Sequence, residues 1–90
     1  MQHWNIRIAG RVQGVSYRVS AKHMAAQLGL KGFVRNQPDG SVYAEVEGET
    51  AALEAFAKWC AAGPPGARVD QVISEPGDWY GFSNFEIRYD

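Results

Sequence analysis

The stretch Gly10-Arg11-Val12-Gln13-Gly14-Val15-Ser16-Tyr17-Arg18 sets two glycines ahead of an arginine at even spacing. Glycine lets a backbone curl tightly and approach a ligand closely. A helix that begins just after such a curl exposes unpaired N–H groups carrying roughly half a positive charge, a ready site for phosphate. Arg18 falls in the first turn of that helix, where a planar guanidinium can close over the same anion through two parallel hydrogen bonds. Glycines also serve plain strand-to-helix turns, and arginine is common on exposed helix faces, so spacing alone leaves both readings open. No Gly-Lys-Ser/Thr follows the loop and Gly-x-Gly-x-x-Gly occurs nowhere, which counts against nucleotide binding.

The elements that must hold this loop follow from hydrophobic period. Trp4, Ile6 and Ile8 alternate with His3, Asn5 and Arg7, a strand with one buried face running into Gly10. Tyr17, Ala21, Met24, Ala25 and Leu28 recur at three and four, an amphipathic helix stopped by Gly29. Lys31 to Asn36 and Ser41 to Gly48 flank Gln37-Pro38-Asp39-Gly40, a turn signal, and predict a hairpin. In its second arm Val42, Ala44 and Val46 should face the core, leaving Ser41, Tyr43, Glu45 and Glu47 on a solvated face. Thr50 can cap a second helix whose apolar stripe is Leu53, Phe56, Ala57 and Cys60, ending at Gly63-Pro64-Pro65-Gly66. Val69 to Ser74 and Phe85 to Tyr89 read as strands, separated by a loop marked by Pro76-Gly77-Asp78 and Gly81. The order predicts an α+β fold: a split βαβ (βαββαβ) sandwich, with two helices on one face of a mainly antiparallel sheet of four to five strands.

Ninety residues, 46% hydrophobic and 21% charged, predict a single domain over 1–90. A net charge of −1 argues against a general nucleic-acid binder, so any anion site must be local. One cysteine excludes an internal disulfide, and two histidines beside it provide no zinc ligand set. No apolar run suggests a signal peptide or membrane span, which leads to the expectation of a cytoplasmic protein that meets neither membrane nor nucleic acid.

The segment Ile8 to Arg18 resembles the first signature of the acylphosphatase family. Gly32-Phe33-Val34-Arg35-Asn36-Gln37-Pro38-Asp39-Gly40-Ser41-Val42, closing at Gly48, resembles the second. Arg68 to Val72 and Phe85 to Tyr89 resemble the family's last strands, so the resemblance covers essentially the whole chain. It implies a ferredoxin-like enzyme that hydrolyses acyl phosphates to carboxylate and inorganic phosphate, without metal or other cofactor; such domains also occur inside larger enzymes, and a chain that ends after its last strand leads to the expectation of a free-standing monomer. It further implies that Gln13, Gly14, Val15, Ser16 and Tyr17 supply backbone donors to the phosphate, that Arg18 binds it, and that Asn36 holds the attacking water. Tyr17 stands where the family usually has phenylalanine, and its hydroxyl then needs water or a polar partner.

The chemistry of the residues agrees with those roles. Phosphoryl transfer depends on positioning and on neutralising equatorial oxygen charge, which fixed dipoles and an arginine provide. Neither signature offers a conventional base apart from the turn residue Asp39; a carboxylate leaving group needs no protonation, so the water's proton can pass to a phosphate oxygen of the substrate. The other marked residues have plainer roles. Arg11 and Arg35 should add positive potential around the anion site, His23 should be solvated, and Cys60 should be a buried small hydrophobe. Trp4, Trp59 and Trp79 read as packing residues. The alternative function is a phosphate-binding or regulatory module of the same fold that does not turn over.

Overall fold

Alternating apolar residues place Ile6 and Ile8 of β1 (Gln2–Arg11) opposite Ala44 and Val42 of β3 (Val42–Gly48), and all four are buried. The computed structural model describes residues 1–89. The remaining elements are α1 (Tyr17–Gln27), β2 (Lys31–Asn36), α2 (Thr50–Ala62), β4 (Arg68–Pro76) and β5 (Phe85–Arg88). The strands form one sheet in the order β4-β1-β3-β2-β5. Three of its pairings are antiparallel, and β5 runs parallel to β2, making the sheet mixed. Two βαβ units thus interleave, β1-α1-β2 and β3-α2-β4, the ferredoxin-like split βαβ arrangement.

Both helices cover the same face. Tyr17, Ala21 and Ala25 of α1 and Leu53, Phe56 and Cys60 of α2 pack on Ile6, Ile8, Val34, Val42, Ala44 and Val46. Each large aliphatic or aromatic side chain fully buried there contributes about 1.5–3 kcal/mol. At Gly10 β1 slips register against β4, with φ of 134°, and a Cβ there would collide with the Arg68 carbonyl. That bulge re-aims the strand as it enters the loop before α1.

The start of α2 differs from expectation. Glu49 occupies the cap position with no side-chain cap bond, and Thr50 is already helical. The β3 ladder runs to Gly48, and Leu53 N–H bonds to Glu49 O at 3.0 Å, so the helix begins one residue before a Thr50 cap would allow. Trp4 and Trp59 are half-buried against the core, whereas Trp79 is exposed.

The second correction concerns the face away from the helices. Glu47 and Ser41, expected in solvent, are 2% and 5% exposed, and His3 is 5% exposed; Ser41 is closed in by its bonds to Asp39 Oδ1 and from Gln13 Nε2. Strands β4 and β5 lie at opposite edges, so their connection must cross the sheet, and it does so over the open face. The Glu47 carboxylate accepts from the backbone N–H groups of Tyr80 (2.6 Å), Gly81 (3.0 Å) and Phe82 (2.9 Å). Phe82 stacks on His3 and meets the edge of Phe33.

His3 Nδ1 donates to Glu47 Oε2 at 2.7 Å, while Nε2 lies 3.0 Å from Glu45 Oε1 and 2.9 Å from Asn5 Oδ1. Acceptors on both nitrogens fit the doubly protonated ring. Burial favours neutral His3, but hydrogen bonds to Glu47 and Asn5 and the charges of Glu45 and Glu47 outweigh it, holding the imidazole above its usual 6.5. Burial likewise pushes Glu47 up, yet the bonds from His3 and the three backbone donors win and hold it below 4.5.

Candidate active site

Between β1 and α1 the chain turns through two left-handed residues. Gly14 has φ of 75°, and Ser16 has φ of 63° with ψ of 28°, the one non-glycine residue with positive φ among those described. A side chain in that conformation costs about 1–2 kcal/mol, so the fold holds Ser16 there against its preference. The Ser16 side chain caps nothing; its carbonyl accepts the first helical bond, from Ser20 at 3.1 Å. The result is a run of N–H groups, residues 13–19, from which no described carbonyl or side-chain oxygen accepts. Such a run is a nest for an anion.

Asn36, the last residue of β2, shares the helix-facing side of its strand with Gly32 and Val34 and pairs with Val42. That places it beside the loop. Gly14, Ser16, Tyr17, Arg18 and Asn36, with Val12, Val19, Ile87 and Tyr89, line one cavity of about 120 Å³. No His, Asp, Glu, Lys or Cys is among the described lining residues. The Asn36 amide bonds to no described side chain or backbone group and is available to a ligand or water.

Arg18, second residue of α1, is held from one side only. Its Nη1 donates to the Arg88 carbonyl at 3.0 Å, and its guanidinium carbon lies 4.6 Å from the centre of the Tyr89 ring. Its Nε and Nη2, the edge that grips two oxygens at once, have no partner among the described residues. No described carboxylate lies within ion-pair distance of the guanidinium.

Two expected site residues turn their side chains away. Gln13 Nε2 donates to Gln37 O at 2.8 Å and to Ser41 O at 2.9 Å, bolting the loop to the β2–β3 turn. Val15 packs against the core. Neither Gln13 nor Val15 is among the residues lining the cavity. Tyr17 is buried at 2% exposure, and its hydroxyl donates to Cys60 O at 2.7 Å, the polar partner its position required. Burial pushes both the Tyr17 phenol and the Cys60 thiol up, the thiol to about 12, which keeps Cys60 an unreactive hydrophobe.

Arg35 and Arg11 are not at the cavity. Arg35 lies on the open face, its Nε donating to Gln37 Oε1 at 3.2 Å and its guanidinium over the Tyr43 ring. The strand pleat sends it to the face opposite Asn36. Arg11 is exposed at the end of β1. Sequence reasoning missed the contribution of β5 and the residue after it: Ile87 and Tyr89 line the cavity and the Arg88 carbonyl holds Arg18. The alternation through Phe85, Ile87 and Tyr89 was legible, but only the parallel pairing of β5 with β2 brings its end to Arg18.

Fold and site together define a ferredoxin-like domain with a cavity between its first strand-to-helix loop and the end of β2. The sequence model of the acylphosphatase family matches residues 4–87, and the chain belongs to that family. A relative from Anaeromyxobacter dehalogenans named acylphosphatase is 56% identical over 85 residues, 93% of this chain and 91% of its own length. The crystal structure of an acylphosphatase from Bacillus subtilis superposes with a TM-score of 0.96 at 32% identity, covering 99% of this chain and 100% of that one. An acylphosphatase structure from Coxiella burnetii gives 0.94 at 32% identity, covering 97% and 92%. Among the described residues no helix is long and apolar enough to cross a membrane.

Proposed function

We propose that the cavity hydrolyses acyl phosphates by direct transfer of the phosphoryl group to water. The N–H groups of residues 13–19 and the free edge of Arg18 take the equatorial phosphate oxygens. Asn36 accepts from and donates to one water, holding it in line with the carboxylate leaving group. Attack forms the new P–O bond as the P–O bond to the acyl oxygen breaks, the electron pair leaves with the carboxylate, and the water proton passes to a phosphate oxygen. A carboxylate is weakly basic, so neither general acid nor general base is needed, in keeping with the lining residues. The roles of Gln13, Gly14, Val15, Ser16 and Tyr17 are those of backbone donors, and the chemistry calls for no cofactor.

One observation carries this reading: backbone donors, an arginine and an asparagine amide, with no described protein acceptor or carboxylate on the groups they turn to it, converge on the same cavity. The test is hydrolysis of benzoyl phosphate by purified protein in EDTA. Turnover lost in folded Arg18→Ala and Asn36→Ala proteins supports it. Phosphate binding that raises thermal stability, without turnover, would instead assign a non-catalytic anion-binding module.

A further inference from the structure

Beside the phosphate cavity lies a second hollow, about 430 Å³, between α1 and the edge strand β5. Its walls are Val19, Lys22, His23, Ala26 and Ile87, and Val19 and Ile87 also line the phosphate cavity. The two spaces share those side chains, so a group bonded to a phosphate held by Arg18 and leaving past Val19 and Ile87 enters this groove. Val19 is 51% exposed, one of the few large hydrophobic side chains left to solvent. Val19, Lys22 or His23, and Ala26 follow one another at helical spacing, a stripe about 10 Å long that leads away from the Arg18 end of α1. Carboxylates are absent from the lining, and its polar groups are the Lys22 ammonium and the His23 imidazole.

We propose that this groove is the acyl-group subsite, and that the preferred substrates are phosphates of apolar acyl groups longer than acetyl. The inference rests on the phosphate-transfer reading above and extends it from the phosphate to the other half of the substrate. An acyl chain lying along Val19, Ile87 and Ala26 removes apolar surface from water on both partners, and an open groove recovers about half of the full burial. The transition state keeps the acyl oxygen bonded or nearly so, so this binding is retained there and appears in kcat/KM.

A straight-chain series from acetyl to octanoyl phosphate tests it, because bond reactivity is nearly constant beyond acetyl. The expected result is a rise in kcat/KM of about twofold per methylene up to hexanoyl, then a plateau, half-burial of each methylene giving that factor. In Ala26→Glu, a substitution at an exposed helical position, the ratio of hexanoyl to acetyl kcat/KM should fall about tenfold because a carboxylate then occupies the groove. A flat wild-type series, or an unchanged ratio in Ala26→Glu with acetyl phosphate still hydrolysed, overturns the subsite and leaves the phosphate chemistry standing. Failure to hydrolyse any member of the series removes both readings.

Discussion

The hydroxyl of Tyr17 on α1 bonds to the carbonyl of Cys60 in the last turn of α2, at 2.7 Å. In a continuing helix that carbonyl would accept from residue 64, which is Pro64 and has no N–H. Tyr17 therefore satisfies a buried acceptor that α2 itself cannot, and it ties the helix that follows the Gly14 loop to the second helix. Tyr17→Phe should leave turnover close to wild type but cost about 1–2 kcal/mol of stability, the penalty of an unsatisfied buried carbonyl. Urea unfolding monitored by tryptophan fluorescence measures it; an unchanged midpoint would mean water replaces the hydroxyl.

Arg18→Ala should lower kcat/KM by at least about 10²-fold, because a preorganised charge at the phosphate is lost. Arg18→Lys should fall nearly as far, since an ammonium has no second donor edge and cannot keep both the Arg88 carbonyl and the phosphate. Asn36→Ala should lower mainly kcat, with phosphate inhibition little changed. Steady-state kinetics with phosphate as competitor separates the two effects.

Gln13 acts through position. Its amide holds Gln37 and Ser41, the residues that flank the turn next to Asn36. Gln13→Ala should reduce kcat by about 10- to 100-fold through misplacement of the loop relative to Asn36, with little change in fold. Gln13→Glu should be worse, since a carboxylate then faces two carbonyl oxygens. Equal activity of Gln13→Ala and wild type would show that the bolt is dispensable.

The buried pair beneath the β4–β5 connection makes stability depend on pH from both sides. His3 is held above 6.5, so its contribution is full below 6.5 and is lost as pH rises through the raised value. Glu47 is held below 4.5, so its contribution is full above 4.5 and is lost as pH falls through the lowered value. Both are complete between pH 4.5 and 6.5, where stability should be greatest. His3→Gln should be less stable by about 3–5 kcal/mol in that window, the cost of breaking a buried pair, and its alkaline decline should be flatter. Unfolding midpoints measured from pH 4 to pH 9 check both statements; parallel alkaline limbs would remove His3 as the titrating group.

How much of this was legible without coordinates depends on the range of the interaction. The strand of Trp4, Ile6 and Ile8, the helix from Tyr17, the Pro-Asp-Gly turn and the loop with Gly14 and Arg18 all rest on residues within a few positions of each other. Local sterics and hydrophobic period determine them, and so the order of elements and the tight glycine curl ahead of α1 followed from sequence alone. The Thr50 cap failed because the extent of the β3 ladder, a long-range pairing, decided where α2 begins. Glu47 was misread for the same reason. A strand with alternating polar residues reads as half-solvated, and nothing in its own period shows that a connection between opposite sheet edges passes over it. The site divides along the same line: the family resemblance, carried by two local signatures, proposed Arg18 and Asn36 as partners, whereas their convergence and the Gln13 bolt arise from strand pairing, and the grip of the Arg88 carbonyl and the groove beside Val19 exist only once β5 pairs with β2. Sequence by itself determined which groups this protein carries and which local turns expose them. The tertiary structure decided which of them meet, because burial and strand pairing act between residues far apart in the chain and leave no period in the sequence.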